Sequence, residues 1–305
     1  MPTLHFLLAA LAFAGQHDTL PAGYTPHRVY DSQHKRWTDF ETMAAELAKM
    51  DVIFLGEQHD DASTHRMEAA LLDAIARRRG NIVVSLEMFE RDVQPVLDDY
   101  LAGRIDEATF LKTSRPWPNY PTDYRPLIEF AKAHGYRVVA ANIPRKMASS
   151  ASSKGIEAVS GLTDSTRRWA AAEFSCPKDH YFVRFGESMK EHPMGPGPAP
   201  TADEMAKMTE KFYQAQCTKD ETMAESIAWV KKSAPNPPLV IHYNGAFHSD
   251  FAEGTAMRVQ RRLPGAKIAV VSAIPVPSLD SLEPKSLRKQ GNWLLFVFRP
   301  AAEKK

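Results

Sequence analysis

The stretch DVIFLGEQHDDASTHRM, residues 51–67, decides the fold. Its apolar residues Val52, Ile53, Phe54 and Leu55 predict a buried strand that stops at Gly56. Glu57 and His59 are thereby delivered into a turn, before an amphipathic segment that opens near Ser63. Ligands of open α/β sheets bind in the crevice beyond the carboxyl ends of the strands, so an acid and an imidazole at this exit carry functional weight. The placement recurs. A strand over Asn81–Leu86 exits at Glu87, one over Tyr136–Ala141 exits at Asn142, and one over Leu239–Tyr243 exits at Asn244 and Gly245 with His248 just beyond.

Between these strands the chain reads as helices. Phe40, Met43, Ala44, Leu47 and Met50 repeat at helical spacing behind a Thr38-Asp39-Phe40-Glu41 start. A second helix spans Ser63–Arg79 with Gly80 as its stop, and the cations Arg77, Arg78 and Arg79 suit the negative end of its dipole. Short helices follow at Asp92–Leu101 and Asp106–Thr113, then one at Leu127–His134 closed by Gly135. Arg28–Tyr30 reads as a short edge strand, and Lys267–Ser272 and Trp293–Arg299 as the last two strands. Alternating strands and helices predict an α/β fold, a mostly parallel central sheet flanked by helices. The alternation fails over residues 146–236, which read as a helical insertion with a break at His192–Pro200 and a long helix from Ala202 to Lys232. Met189, Met194, Met205, Met208 and Met223 fall in it, as plain core or as a lid over an apolar ligand. Residues 24–305 are therefore read as a single α/β domain.

With 38 basic and 37 acidic side chains the net charge is +1, and nothing in that balance suggests a basic stripe for nucleic acid. Residues 1–15 read as a signal segment, with an apolar run from Leu4 to Ala14 too short to span a bilayer. Export to the periplasm or outer membrane follows as the expectation. Two cysteines, Cys176 and Cys217, then form one disulfide or remain two buried thiols.

Glu57, His59, Glu87 and His248 are the candidates for chemistry, with His65 six residues past His59. Two carboxylates and two imidazoles can hold a divalent metal, or a carboxylate can orient an imidazole for general-base hydrolysis, or the set can simply tie loops together. A different chemistry is offered by SRPWPNYPTDYRP, residues 114–126, a proline-rich loop carrying Trp117, Tyr120 and Tyr124. Tyrosine and histidine both ligate haem iron, so Tyr120, Tyr124, His242 and Tyr243 enter as candidates, and Arg115 and Arg125 can pair with propionates. No C-x-x-C-H is present for covalent attachment.

The runs VIFLGEQHDDASTHRMEAALL, VVSLEMFERDVQPVLDDYLAG, WPNYPTDYRPLIEFAKAHGYRVVAANIPR, QCTKDETMAESI and VIHYNGAFHSDF resemble, in order and spacing, the ChaN-like family of haem-binding lipoproteins. That family is similar to a wider superfamily of erythromycin esterases and Tiki metalloproteases, which share a strand-end G-E-x-H, here Gly56, Glu57 and His59. The resemblance implies a cell-envelope protein of bacterial iron or haem uptake that works with outer-membrane haem machinery. It further implies non-covalent haem at a homodimer interface, with tyrosine on the iron and histidine near the propionates. The cofactor-binding set expected on this reading is Trp117, Tyr120, Tyr124, Arg125 and His65. The alternative is an esterase-like or metal-dependent hydrolase built on Glu57, His59, Glu87 and His248. The family is typically lipid-anchored, and the absence of a cysteine after the apolar run departs from its pattern.

Overall fold

The computed structural model describes residues 24–191 and 200–301. The expected signal segment and most of the His192–Pro200 break, with Met194, lie outside the described residues. In chain order the strands are β1 (His27–Asp31), β2 (Arg36–Thr38), β3 (Val52–Glu57), β4 (Ile82–Glu90), β5 (Arg137–Asn142), β6 (Leu239–Gly245), β7 (Ile268–Val276) and β8 (Trp293–Phe298). The helices are α1 (Phe40–Leu47), α2 (Ala62–Ala76), α3 (Gln94–Leu101), α4 (Glu107–Ser114), α5 (Tyr120–Asp123), α6 (Arg125–His134), α7 (Arg145–Lys154), α8 (Glu157–Ser160), α9 (His180–Glu191), α10 (Ala202–Ser233), α11 (Gly254–Arg262) and α12 (Pro284–Leu287).

All eight strands join one sheet in the order β2-β1-β8-β7-β3-β6-β4-β5. The six strands from β8 to β5 run parallel, and β1 and β2 add an antiparallel pair at one edge. From β3 the chain steps outward to β4 and β5, returns to place β6 between β3 and β4, then proceeds to β7 and β8 on the other side. This reversal makes the β3–β6–β4 ends the switch point, where a crevice opens in such sheets. The strands are apolar on both faces because helices cover both. On one face Ile53, Leu55, Val84, Leu86 and Ile241 pack with Leu71, Leu72, Leu127 and Ile128. On the other, Val52, Phe54, Val83 and Val240 pack with Met223, Ala224, Ile227 and Val230 of α10. The stretch read as a helical insertion thus supplies the main cover of one sheet face, and Met223 is core. Met205 and Met208 sit in the first turns of α10, and Met189 packs beside Tyr181 and Tyr213.

Several boundaries differ from the sequence reading for physical reasons. Arg28–Tyr30 is not an edge: β1 lies inside the sheet and the short β2 takes the edge. The second helix ends at Ala76, ahead of Gly80. Arg78 and Arg79 then donate to the free carbonyls of Ala74, Ala48 and Met50. The proline-rich loop contains one helical turn, α5, since Pro121 falls in its first turn where a missing N–H costs nothing. Gly135 closes α6 in the left-handed region at φ 66°, which favours glycine. Cys176 and Cys217 are joined in a disulfide, with their Cα atoms 5.7 Å apart. Among the described residues no helix is long and apolar enough to cross a membrane.

Candidate functional site

Register brings the expected acids together. Glu57 at the end of β3 pairs with Gly245 at the end of β6, and Leu86 of β4 pairs with Tyr243, which sets Glu87 beside Asn244. Glu87 is not a strand exit, because β4 runs on to Glu90. Its pairing with β5 shifts register between Leu86 and Glu90 instead, a bulge of the kind that re-aims side chains beside functional sites. The backbone N–H of Gly245 donates to Glu87 Oε2 at 2.8 Å, tying the two strands at this point.

His59 stands over this floor. Its Nδ1 lies 2.7 Å from Glu57 Oε1, its ring meets Trp117 edge-on at 4.9 Å, and its side chain is 42% exposed. Burial opposes its charged form, but the hydrogen bond to Glu57 and the fields of Glu87 and Glu57 outweigh this and raise its pKa above the usual imidazole value. Behind it, His248 spans two acids, Nε2 at 3.2 Å from Glu87 Oε1 and Nδ1 at 2.7 Å from Asp220 Oδ1. Burial would lower its pKa, yet Glu87 and Asp220 prevail and push it up to about 10. Glu87 is the mirror case, with burial overcome by His248 and His59 so that it stays ionised far below the carboxylate range. The four residues named from sequence are therefore one cluster, a buried Glu87–His248–Asp220 relay with the buried Glu57 and the half-exposed His59 in front.

A second layer surrounds Glu57. Tyr124 donates its hydroxyl to Glu57 Oε1 at 2.6 Å. His65, fully buried, faces only acceptors: Nδ1 is 3.0 Å from Glu68 Oε2 and 3.5 Å from Glu57 Oε2, while Nε2 is 3.3 Å from the His59 carbonyl and 3.4 Å from Asp123 Oδ2. Burial and the adjacent charge of Glu57 raise the pKa of Glu68 well above the carboxylate range. Among the described residues, the group whose ligating atoms lie within 4.8 Å of one another is Glu57, His65 and Glu68.

The tyrosine candidates are placed inside. Tyr120 packs against Phe89 and Phe110, and its buried hydroxyl has no hydrogen-bond partner. Burial raises the pKa of both Tyr120 and Tyr124 beyond the usual phenol value. Arg125 is committed to Glu107 by two hydrogen bonds of 2.6 and 2.8 Å. His242 is buried with Nδ1 at 2.9 Å from Ser85 Oγ, and burial lowers its pKa to about 3. Trp117, by contrast, lines an open cleft of about 650 Å³ together with Pro116, Pro118, Pro144, Arg145 and Lys146. Glu90 at the end of β4 and the start of α7 complete its lining. Neither Arg145 nor Lys146 pairs its side chain with an acid among the described residues.

Asp220, Glu68 and Asp123 were missed by sequence reasoning. Glu68 had a signal, since it sits three residues after His65 on the apolar side of α2 between Met67 and Leu71. Asp220 had a weaker one, as part of the polar run Thr218, Asp220, Glu221 and Thr222 that is buried although it interrupts the apolar face of α10.

Residues 43–259 match the model of a family described as haem-binding uptake, Tiki superfamily, ChaN. A curated relative, protein RETICULATA-RELATED 5, chloroplastic, of Arabidopsis thaliana, is 23% identical over 252 residues, covering 79% of this chain and 32% of its own. The chain thus spans about a third of that relative. Among solved structures, ChaN of Campylobacter jejuni, described with cofacial haem binding, has a TM-score of 0.65 at 19% identity, covering 89% of this chain and 96% of the other. A Bacillus cereus protein has a TM-score of 0.50 at 10% identity, covering 84% and 90%. At these identities the structural likeness is one of fold.

Proposed function

Because the chain belongs to the ChaN haem-binding uptake family of the Tiki superfamily, we propose that it binds haem non-covalently in the cleft between the end of β4, the start of α7 and the proline–aromatic loop. The observation that carries this reading is the cleft's composition. Trp117 and three prolines offer an apolar wall to a planar macrocycle, while Arg145 and Lys146 offer unpaired cations to its carboxylates. The cofacial haem described for the Campylobacter protein supports a homodimer closing on the cofactor. Tyr120 and Tyr124 lie behind this wall, so either reaches iron only if the 115–124 segment turns outward and the phenol sheds its proton. The disulfide supports an exported, periplasmic or outer-membrane-associated protein, where haem uptake machinery would deliver or receive the cofactor.

Titration of the purified protein with ferric haem tests this. A saturable change in visible absorption that weakens in Trp117→Ala and in an Arg145→Ala/Lys146→Ala variant is the expected result. No saturable change would overturn the reading. Tyr120→Phe and Tyr124→Phe then report whether either phenol ligates iron, through loss of a tyrosinate charge-transfer band.

The half-exposed imidazole of His59 on Glu57 favours a second reading, general-base hydrolysis at the Glu57/His59/Glu87/His248 cluster. Under it, His59→Ala abolishes turnover of an ester or amide substrate while haem titration is unchanged.

A further inference from the structure

We propose that Glu57, His65 and Glu68 form a binding site for a divalent first-row transition ion, Zn²⁺ or Mn²⁺, separate from the cleft and from the Glu87–His248–Asp220 relay. Three observations carry it. First, both separations from the His65 nitrogen are those of neighbouring ligands in a coordination shell, and all three ligand atoms lie within 4.8 Å of one another. Metal–ligand bonds of about 2.1 Å place neighbouring ligands about 3.0 Å apart in octahedral and about 3.4 Å apart in tetrahedral geometry. His65 Nδ1 lies 3.0 Å from Glu68 Oε2 and 3.5 Å from Glu57 Oε2.

Second, the ring of His65 is oriented as a ligand. Nε2 faces the His59 carbonyl and Asp123, the outer hydrogen-bond partners that fix the tautomer of a metal-bound imidazole. The lone pair of Nδ1 is then left pointing at two carboxylates, an arrangement that needs a cation or a proton between them. Asn119 holds Asp123 in turn, with Nδ2 2.7 Å from Asp123 Oδ2, and Tyr124 and His59 both donate to Glu57 Oε1.

Third, oxygen acceptors are left over. Glu57 Oε2 and Glu68 Oε1 are fully buried and have no hydrogen-bond partner, and Glu57 Oε2 is the atom that faces Nδ1. A buried acceptor without a donor is costly, and two carboxylates with no cation more so. A divalent ion neutralises the pair and gives the orphan Glu57 Oε2 a partner. One imidazole with two carboxylates suits zinc or manganese better than calcium, which takes oxygen ligands alone. The relay offers no such place, since both oxygens of Glu87 are taken by Gly245 and His248, and both nitrogens of His248 face acids.

Protein stripped with a chelator, freed of haem and reloaded with Zn²⁺ or Mn²⁺ is analysed for bound metal by mass spectrometry and for its melting temperature. Wild type is expected to keep a single ion per chain after desalting and to melt higher when loaded. Glu68→Gln, nearly isosteric, and His65→Gln are expected to lose both effects, while His248→Asn keeps them. Co²⁺ in place of zinc should give visible d–d bands that vanish in Glu68→Gln. Retention of neither metal by wild type, or loss in His248→Asn with retention in Glu68→Gln, overturns the site. Circular dichroism of each metal-free variant separates lost binding from lost folding. The haem titration is independent of every one of these readings.

Discussion

The imidazole of His59 rests on Gly245 so closely that a Cβ at residue 245 would fall 2.7 Å from His59 Nε2. Gly245 has φ −54°, which any residue adopts, so glycine is needed here for close approach and not for backbone freedom. Gly245→Ala must therefore move the histidine, and His59 can swing outward because its side chain is 42% exposed. The expected outcome is a folded protein whose His59 has left Glu57 and Glu87, with its pKa falling back toward about 6.5. Proton NMR titration of the ring measures this. An unchanged, raised pKa in the variant would show that the contact with Gly245 does not position the ring.

The Glu87–His248 pair sets a pH window for stability. His248 has its pKa raised from 6.5 to about 10, so its contribution is fully present below pH 6.5 and is lost as pH rises through 10. Glu87 is depressed, so its contribution is present above 4.5 and is lost as pH falls toward its folded value. Urea unfolding at stepped pH should show stability declining from about pH 6.5 to 10, and His248→Asn should flatten that limb. A wild-type limb that is already flat would mean that His248 is not charged between its two acids.

How much of this was legible follows from where each residue sits. Glu57, His59 and His248 follow apolar runs that can only be buried strands, so their convergence at one sheet end was readable from alternation alone. Glu87 was placed correctly in space for the wrong reason, since a bulge and not a strand end turns it into the site. Asp220 was barely legible, its one signal being the polar run that interrupts the apolar face of α10. It comes from the middle of a 32-residue helix and meets His248 only because α10 packs across the sheet, a tertiary fact that the polar run does not encode. Tyr120 and Tyr124 were legible as a pair but not in their depth. The prolines on either side read as a loop, and the aromatic rings have enough apolar surface to draw that segment into the core.

Arg145 and Lys146 carry an ionic-strength prediction. If they hold the carboxylates of haem, removing both should weaken ferric haem binding about tenfold at low salt, with a smaller loss near 1 M salt, where the screening length is about 3 Å. Equal loss at both salt concentrations would mean that the residues act by shape. The measurement is the absorption titration repeated at each ionic strength.

The disulfide pins the segment just before α9 to the middle of α10 across a separation of 41 residues. Closing a loop of that length restricts the unfolded chain by an amount worth about 4 kcal/mol in the chain-entropy model. Cys176→Ser/Cys217→Ser should lower the unfolding free energy by up to about that much. Wild type in reductant should follow the variant. A variant as stable as oxidised wild type would place the effect of the crosslink near zero.

Tyr124→Phe tests what keeps Glu57 buried. Glu57 Oε1 accepts from Tyr124 at 2.6 Å and from His59 at 2.7 Å, and no water-exposed alternative serves that oxygen, because Glu57 is 1% exposed. Loss of the phenol leaves the ring's packing against Trp117 and His65 in place and removes only the donor. A buried acceptor that loses one donor costs about 1–3 kcal/mol. Since His59 remains on the same oxygen, the lower end applies if that bond shortens in compensation, and the His59 pKa then rises further because it alone answers the carboxylate. Urea unfolding together with ring titration reads both quantities. A loss of stability without any change at His59 would instead locate the role of Tyr124 in the aromatic core, apart from the acid–imidazole pair.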